Sequence, residues 1–269
     1  MNQCASILSF CLTLFIGVLS QDSWAGQEPG NTRPRSFSEA NIFFELNNTD
    51  GDLGIHARVD GESWDNLKIV GPNDHRILKI RVEGQLQKQG LTEIFFESAE
   101  PSFDQLLPVN FFRRFPAGKY FISGVTLDGE RLESNVELTH VMPAPPEPTV
   151  NGLEINKNST GNATVVRNLP VTIKWPRVTM SHPDVNGGGA GVQPPIPIII
   201  HNYEIAIEVE NIDTPFKSVI RALLEPDVTS FTIPEEFISL GKRFRYEVLA
   251  REVSFNQTAT ESCFVLKIE

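Results

Sequence analysis

The chain has 269 residues, 40% of them hydrophobic, and a formal charge of -11 at pH 7. That length and apolar content suffice for one or two domains with real cores, and exclude a disordered chain or a disulfide mini-fold. The negative charge is spread rather than blocked, which disfavours nucleic acid or an anionic membrane as partner.

The first 25 residues read as an export signal. Ile7 to Leu19 is a charge-free apolar run, too short to span a bilayer. Small residues place cleavage after Ala25 or Ser20, while the n-region Met1-Asn-Gln-Cys-Ala-Ser6 carries no Lys or Arg. Cys4 and Cys11 leave with this segment, so the mature chain holds Cys263 alone and no internal disulfide. Cys263 sits in an apparent last strand, where it reads as a small buried hydrophobe. The expected location is secreted, extracellular or periplasmic, with no membrane span after cleavage.

Residues 26–40 have no apolar period and are expected to form a flexible leader, with organised structure starting at Asn41. From there the pattern is all-β. Ile42, Phe44 and Leu46 alternate with Phe43 and Glu45, and Ile55, Ala57 and Val59 alternate with His56, Arg58 and Asp60. Between these runs lies Asn47-Asn-Thr-Asp50-Gly-Asp52-Leu-Gly54. Oxygen ligands at alternate positions suit calcium, with Asp50 and Asp52 as the candidate ligands. An EF-hand frame from Asn48 fails, because Leu53 stands where Gly is required and Val59 where the bidentate Glu belongs; the other reading is a tight turn. No other cofactor is expected.

Further strands are predicted at Leu67–Val70, Ile77–Val82 and Leu91–Phe96, the first two flanking the turn Gly71-Pro-Asn-Asp74. One short helical piece follows. Ser102-Phe-Asp-Gln105 is a capping box, and Pro108 stops that turn and begins another as an N1 residue, running through Phe111, Phe112 and Phe115. These rings read as a lid on one end of a sandwich, or as an exposed ligand platform. A hairpin then joins Lys119–Leu127 to Glu130–Leu138 through a two-residue Asp128-Gly129 loop, which puts Val125 opposite Leu132 and Phe121 opposite Val136. The lead-in Pro116-Ala-Gly-Lys-Tyr120 resembles that of the penultimate strand in bacterial Ig-like domains.

Met142-Pro-Ala-Pro-Pro-Glu-Pro148 denies a sheet its donors and favours a polyproline spacer. It separates an Ig-like β-sandwich (41–141) from a second domain (149–269), with 142–148 as linker, and would hold the two apart.

In the second domain Val171-Thr-Ile-Lys-Trp175 reads as a strand ending on a core tryptophan. Tyr203 to Val209 and Ser230 to Ile233 read as further strands. Leu240-Gly-Lys-Arg-Phe-Arg-Tyr246-Glu-Val-Leu-Ala250 reads as a turn leading into a strand with a tyrosine near its start. In order and spacing these segments resemble the fibronectin type III family. The resemblance implies strands B, C, E and F and a corner at Tyr246, whose hydroxyl would return to the preceding loop's backbone. The departure is a long loop from Ser181 to Pro197 containing Asn186-Gly-Gly-Gly-Ala-Gly191, read as a flexible insertion.

No catalytic signature appears. The five histidines show no zinc-site spacing, there is no Gly-x-Ser-x-Gly elbow, and paired carboxylates on distant strands leave no trace in spacing. Sequons stand at Asn47, Asn158, Asn162 and Asn256 and would mark surface sites in a source that glycosylates. The expectation is an all-β protein of two tandem sandwiches with one short helix in the first. It is expected to be an exported non-enzymatic binding, adhesion or scaffold module that meets a protein or glycan at the cell surface. The working surfaces would be sheet edges and the loops Ser98–Phe115 and Ser181–Pro197. The alternative is a carbohydrate-active accessory protein or glycan hydrolase.

Overall fold

A computed structural model describes residues 33–154, 163–185, 194–210 and 218–268. The export-signal segment, the Gly-rich run 186–191 and the sequons at Asn158 and Asn162 lie outside the described residues. The elements of the first half are β1 (Glu39–Asn47), β2 (Asp52–Val70), β3 (Arg76–Arg81), α1 (Leu86–Gln89), β4 (Leu91–Glu97), α2 (Pro108–Arg114), β5 (Gly118–Thr126) and β6 (Arg131–Leu138). Those of the second are β7 (Thr149–Val150), β8 (Leu153–Glu154), β9 (Thr164–Val166), β10 (Thr172–Lys174), β11 (Ile200–Val209), β12 (Val219–Leu224), β13 (Ser230–Thr232), α3 (Glu235–Ile238), β14 (Arg243–Glu252) and β15 (Gln257–Leu266). The protein is all-β, as its alternation predicts; its helices, each one or two turns long, number three rather than one among the described residues.

β2 organises the first half. The sequence reads its two ends as separate strands, yet the 19 residues run on as one through Asp60-Gly61, a turn dipeptide that here makes no turn: the glycine takes no left-handed φ, and its missing Cβ leaves room for the Phe37 ring. The ladder shifts there instead: residues up to Asp60 pair with β1 and β4, Trp64 still meets Leu91 of β4, and from Trp64 onward the strand pairs with β5 and β3. One strand thus serves both layers, and Ile55, Ala57, Val59, Trp64, Leu67 and Ile69 share one core. Phe111 and Phe112 of α2 are buried in that core, with ring centroids 6.0 and 5.1 Å from Phe44. The lid reading is therefore the right one for these two rings. Only half of the predicted capping box forms: the Ser102 N–H donates to Gln105 Oε1 at 3.3 Å, closing a turn, and α2 starts at Pro108.

The hairpin forms one residue out of the predicted register. Gly124 faces Leu132 and Phe121 faces Asn135, and the Thr126 N–H bonds to the Glu130 carbonyl at 2.9 Å, leaving the three-residue loop Leu127-Asp128-Gly129. Gly129 takes φ +82, the left-handed residue that closes a three-residue loop. A slip of one residue reverses every side chain. Tyr120 and Ile122 therefore point into the core, while Phe121 is half exposed.

Order also begins before Asn41. Arg35 bonds through its backbone to β6 and through its side chain to Glu62 and Glu130, and Phe37 is buried.

In the second half β13-β10-β7-β8 faces β12-β11-β14-β15 across a core containing Trp175, Tyr203 and Tyr246, all buried. The Tyr246 hydroxyl stays sealed beside Ser262, its neighbour on β15, and does not return to the preceding loop. That turn is closed instead by α3, whose Phe237 and Ile238 are buried. Two other tyrosines hold loop backbone: the Tyr203 hydroxyl accepts the Val178 N–H at 2.8 Å, and Tyr120 donates to the Pro116 carbonyl, four residues upstream, at 2.9 Å. The tyrosine corner thus lies in the first half.

The halves are not held apart. β1 pairs with β15 in parallel, Leu46 opposite Thr258, so the two sheets join into one. The proline-rich segment is a strap laid against this seam. Prolines lack an N–H but keep their carbonyls, and Thr258 and Thr260 donate to those of Pro143 and Pro146, each at 2.8 Å. The start of the long loop docks too: Val185 enters the first core and the His182 N–H bonds to the Met142 carbonyl at 2.7 Å.

Asn256 fastens the seam. Wholly buried, it accepts the Phe44 N–H at 2.8 Å and donates to the carbonyls of Thr139 and Val141 at 3.0 Å each. This sequon is therefore not a surface site, unlike its reading from sequence. Asn256→Ala strands a buried donor and two acceptors, at about 1–3 kcal/mol for a buried group left unpaired. A loss of about 3 kcal/mol in urea unfolding is expected, and mass spectrometry of chain made in a glycosylating host should find Asn256 unmodified.

Candidate binding face

Joining β1 to β15 creates a surface that neither half has alone. The sheet runs β4-β2-β1-β15-β14-β11-β12, and strand alternation turns one side chain in two away from the cores. On β1 these are Glu39, Asn41, Phe43 and Glu45; on β2 they are His56, Arg58 and Asp60; on β4 they are Glu93, Phe95 and Glu97. Across the seam they are Gln257 on β15, Glu247, Leu249 and Arg251 on β14, Glu204 on β11, and Arg221 and Leu223 on β12. All of these but Asp60 line a groove of about 570 Å³. Its middle is closed, with His56, Leu249 and Gln257 buried; Phe95 and Leu223 stand 55% and 66% exposed on the strands at its two ends.

The arginines are held by ion pairs and hydrogen bonds across the strands. Arg58 reaches Glu39 at 3.2 Å and Glu93 at 3.0 Å. Arg251 donates to Gln257 at 2.7 Å and Asn202 at 3.0 Å and lies 3.4 Å from Glu204, which Arg221 meets from the other side at 3.1 Å. Carboxylates outnumber them. Glu247 is pushed up to about 7, by burial first and then by Glu45, Glu261 and Glu204, with Arg221 opposing. Glu45 is raised chiefly by burial, though Gln257 donates to it.

The sequence-predicted calcium ligands lie beside this groove. Asp50 occupies the turn between β1 and β2 and accepts from Asn47 Nδ2 at 3.4 Å. Asp52 opens β2, with Oδ1 buried and without a hydrogen-bond partner. Its carboxyl is raised to about 6 by burial, then by Glu100 and Asp50. Among the described residues, the three ligand-type side chains that converge are others: His56, Glu97 and Glu100. Their sequence signal was weak. Asp52 and His56 do share a strand face by period two, but Glu97 and Glu100 arrive only through the pairing of β4 with β2.

No family model matches the sequence, and no curated protein matches it. Among solved structures the chain is similar to the chicken CNTN1 FN1-FN3 domains, with 9% identity and a TM-score of 0.33 over 86% of this chain and 65% of that one. It is also similar to a 1.5-MDa bacterial ice-binding adhesin, with 10% identity and a TM-score of 0.25 over 88% and 66%. A third is a Ca2+-stabilized adhesin of an Antarctic bacterium, with 8% identity and a TM-score of 0.27 over 87% and 50%. The chain covers less than two thirds of each. Likenesses this loose assign no function. No described helix is long and apolar enough to cross a membrane.

The raised carboxyls have a stability consequence. A carboxyl whose folded pKa lies above its unfolded value binds protons more readily when folded. Stability therefore falls as pH rises through the window between the two, here from 4.5 to about 7 for Glu247. Melting temperature is expected to drop from pH 5 to pH 8, and Glu247→Gln should raise it at pH 8 and flatten the dependence in thermal melts.

Proposed function

We propose that this chain is an exported, non-enzymatic binding module whose partner docks on the seven-strand face. The observation that carries this is the groove itself, continuous across two cores and ended by exposed Phe95 and Leu223. Six carboxylates against three arginines along it favour a cationic protein segment as partner. Of the loops expected to bind, Ser98–Phe115 is committed to the core at Phe111 and Phe112, and the described start of Ser181–Pro197 is committed at Val185.

The division into an Ig-like unit (41–141), a linker (142–148) and a fibronectin type III unit (149–269) belongs to the same proposal. It draws support from the two separate apolar cores and from buried Trp175 and Tyr246. Export rests on the reading of the first 25 residues.

The test is capture of partners from the protein's own cell-surface fraction, comparing the parent with a Phe95→Lys, Leu223→Lys variant. The parent should retain a partner that added salt releases, and the variant should lose it with its melting temperature unchanged. Identical capture by both would sink the proposal.

One observation favours the glycan reading: Glu247, pushed up to about 7, stands close to Glu45 and Glu204, and a carboxyl of raised pKa beside a second carboxyl is the arrangement glycoside cleavage uses. A glycan array with a parallel hydrolysis assay decides it. Turnover abolished by Glu247→Gln would move the protein to that class.

A further inference from the structure

His56 is the one ring in the groove whose surroundings do not complete it. It is 2% exposed, and its Nδ1 is buried without a hydrogen-bond partner, the nearest group being Glu45 Oε2 at 4.0 Å. Its Nε2 lies 3.3 Å from Glu100 Oε1. The β2–β4 ladder sets Glu97 directly opposite, and the donor atoms of His56, Glu97 and Glu100 all fall within 4.8 Å of one another. Glu100 is pressed onto this spot because residue 54 is glycine; a Cβ there would collide with its carboxylate. Asp52 Oδ1, also buried and unpartnered, adds a further negative group that Glu100 acts on.

We propose that His56, Glu97 and Glu100 bind one first-row divalent cation of the zinc type. An imidazole nitrogen with two carboxylate oxygens is a donor set for zinc and its neighbours, which sit about 2.0–2.2 Å from each atom. Calcium takes six to eight oxygens and has no use for the buried ring. With Nε2 turned to the cation, Nδ1–H is left facing Glu45 at 4.0 Å, and a small approach of that carboxylate would complete the carboxylate–histidine–metal relay that fixes a ligand's tautomer. The cation offsets the carboxylates crowded there, and Glu97, exposed on the rim of the groove, turns inward to close the set.

The experiment is titration of the EDTA-stripped full chain with zinc chloride, followed by calorimetry and thermal melting. One equivalent should bind and raise the melting temperature. Glu97→Gln, on an exposed side chain, should weaken binding about 10–100-fold while leaving the metal-free melting temperature unchanged, and His56→Gln should weaken it as much. No saturable zinc binding, or zinc binding untouched by Glu97→Gln, would overturn the assignment. So would a preference for calcium that Asp50→Ala with Asp52→Ala removes. This inference does not rest on the partner proposed for the face, since metal binding is read without any partner.

Discussion

The architecture depends on the hydrogen bonds that one side chain makes to distant backbone. Asn256 stands in the turn before β15, and its amide takes the Phe44 N–H and gives to the carbonyls of Thr139 and Val141. These groups belong to the edge of β1 and to the segment leaving β6, so a residue of the second half completes the backbone of the first. A carboxamide is suited to this because it offers an acceptor and two donors at fixed geometry. An apolar side chain of the same size would leave those groups dry and unpaired. The parallel β1–β15 pair and the threonine bonds to the proline strap follow the alignment that Asn256 sets.

From this seam follows the chemistry of the outer face. Two half-sheets that would each carry a modest acidic stripe are brought edge to edge, and Glu45, Glu247 and Glu261 come within reach of one another's fields. Burial and the like charges nearby then raise the pKa of each above that of a carboxyl on an open strand. At the ends of the strands, Phe111, Phe112 and Val185 are spent on the first core rather than turned outward.

What could be read from the sequence was what is local. Alternation located most of the long strands, Gly129 located the hairpin, and the aromatic cluster Phe111–Phe112 announced its own burial. What could not be read was set by contacts far apart in the chain. The hairpin register turned on whether the loop held two residues or three, and both loops use Gly129 equally well. The proline segment reads as a spacer because its missing donors are visible in the sequence, whereas the threonines that seek its carbonyls lie over a hundred residues away. Asn256 reads as a sugar acceptor, and nothing local distinguishes a sequon in water from one locked in a seam. His56 looked like any strand histidine until β4 was placed beside it.

The direction of the seam has a mechanical meaning. Because β1 and β15 run the same way, a pull that separates the beginning of the first from the end of the second loads their shared bonds side by side, in shear. Such a ladder yields only when all its rungs give together, whereas one opened from an end fails rung by rung. A tether strung through this molecule would therefore load the junction of the two sandwiches in its resistant direction.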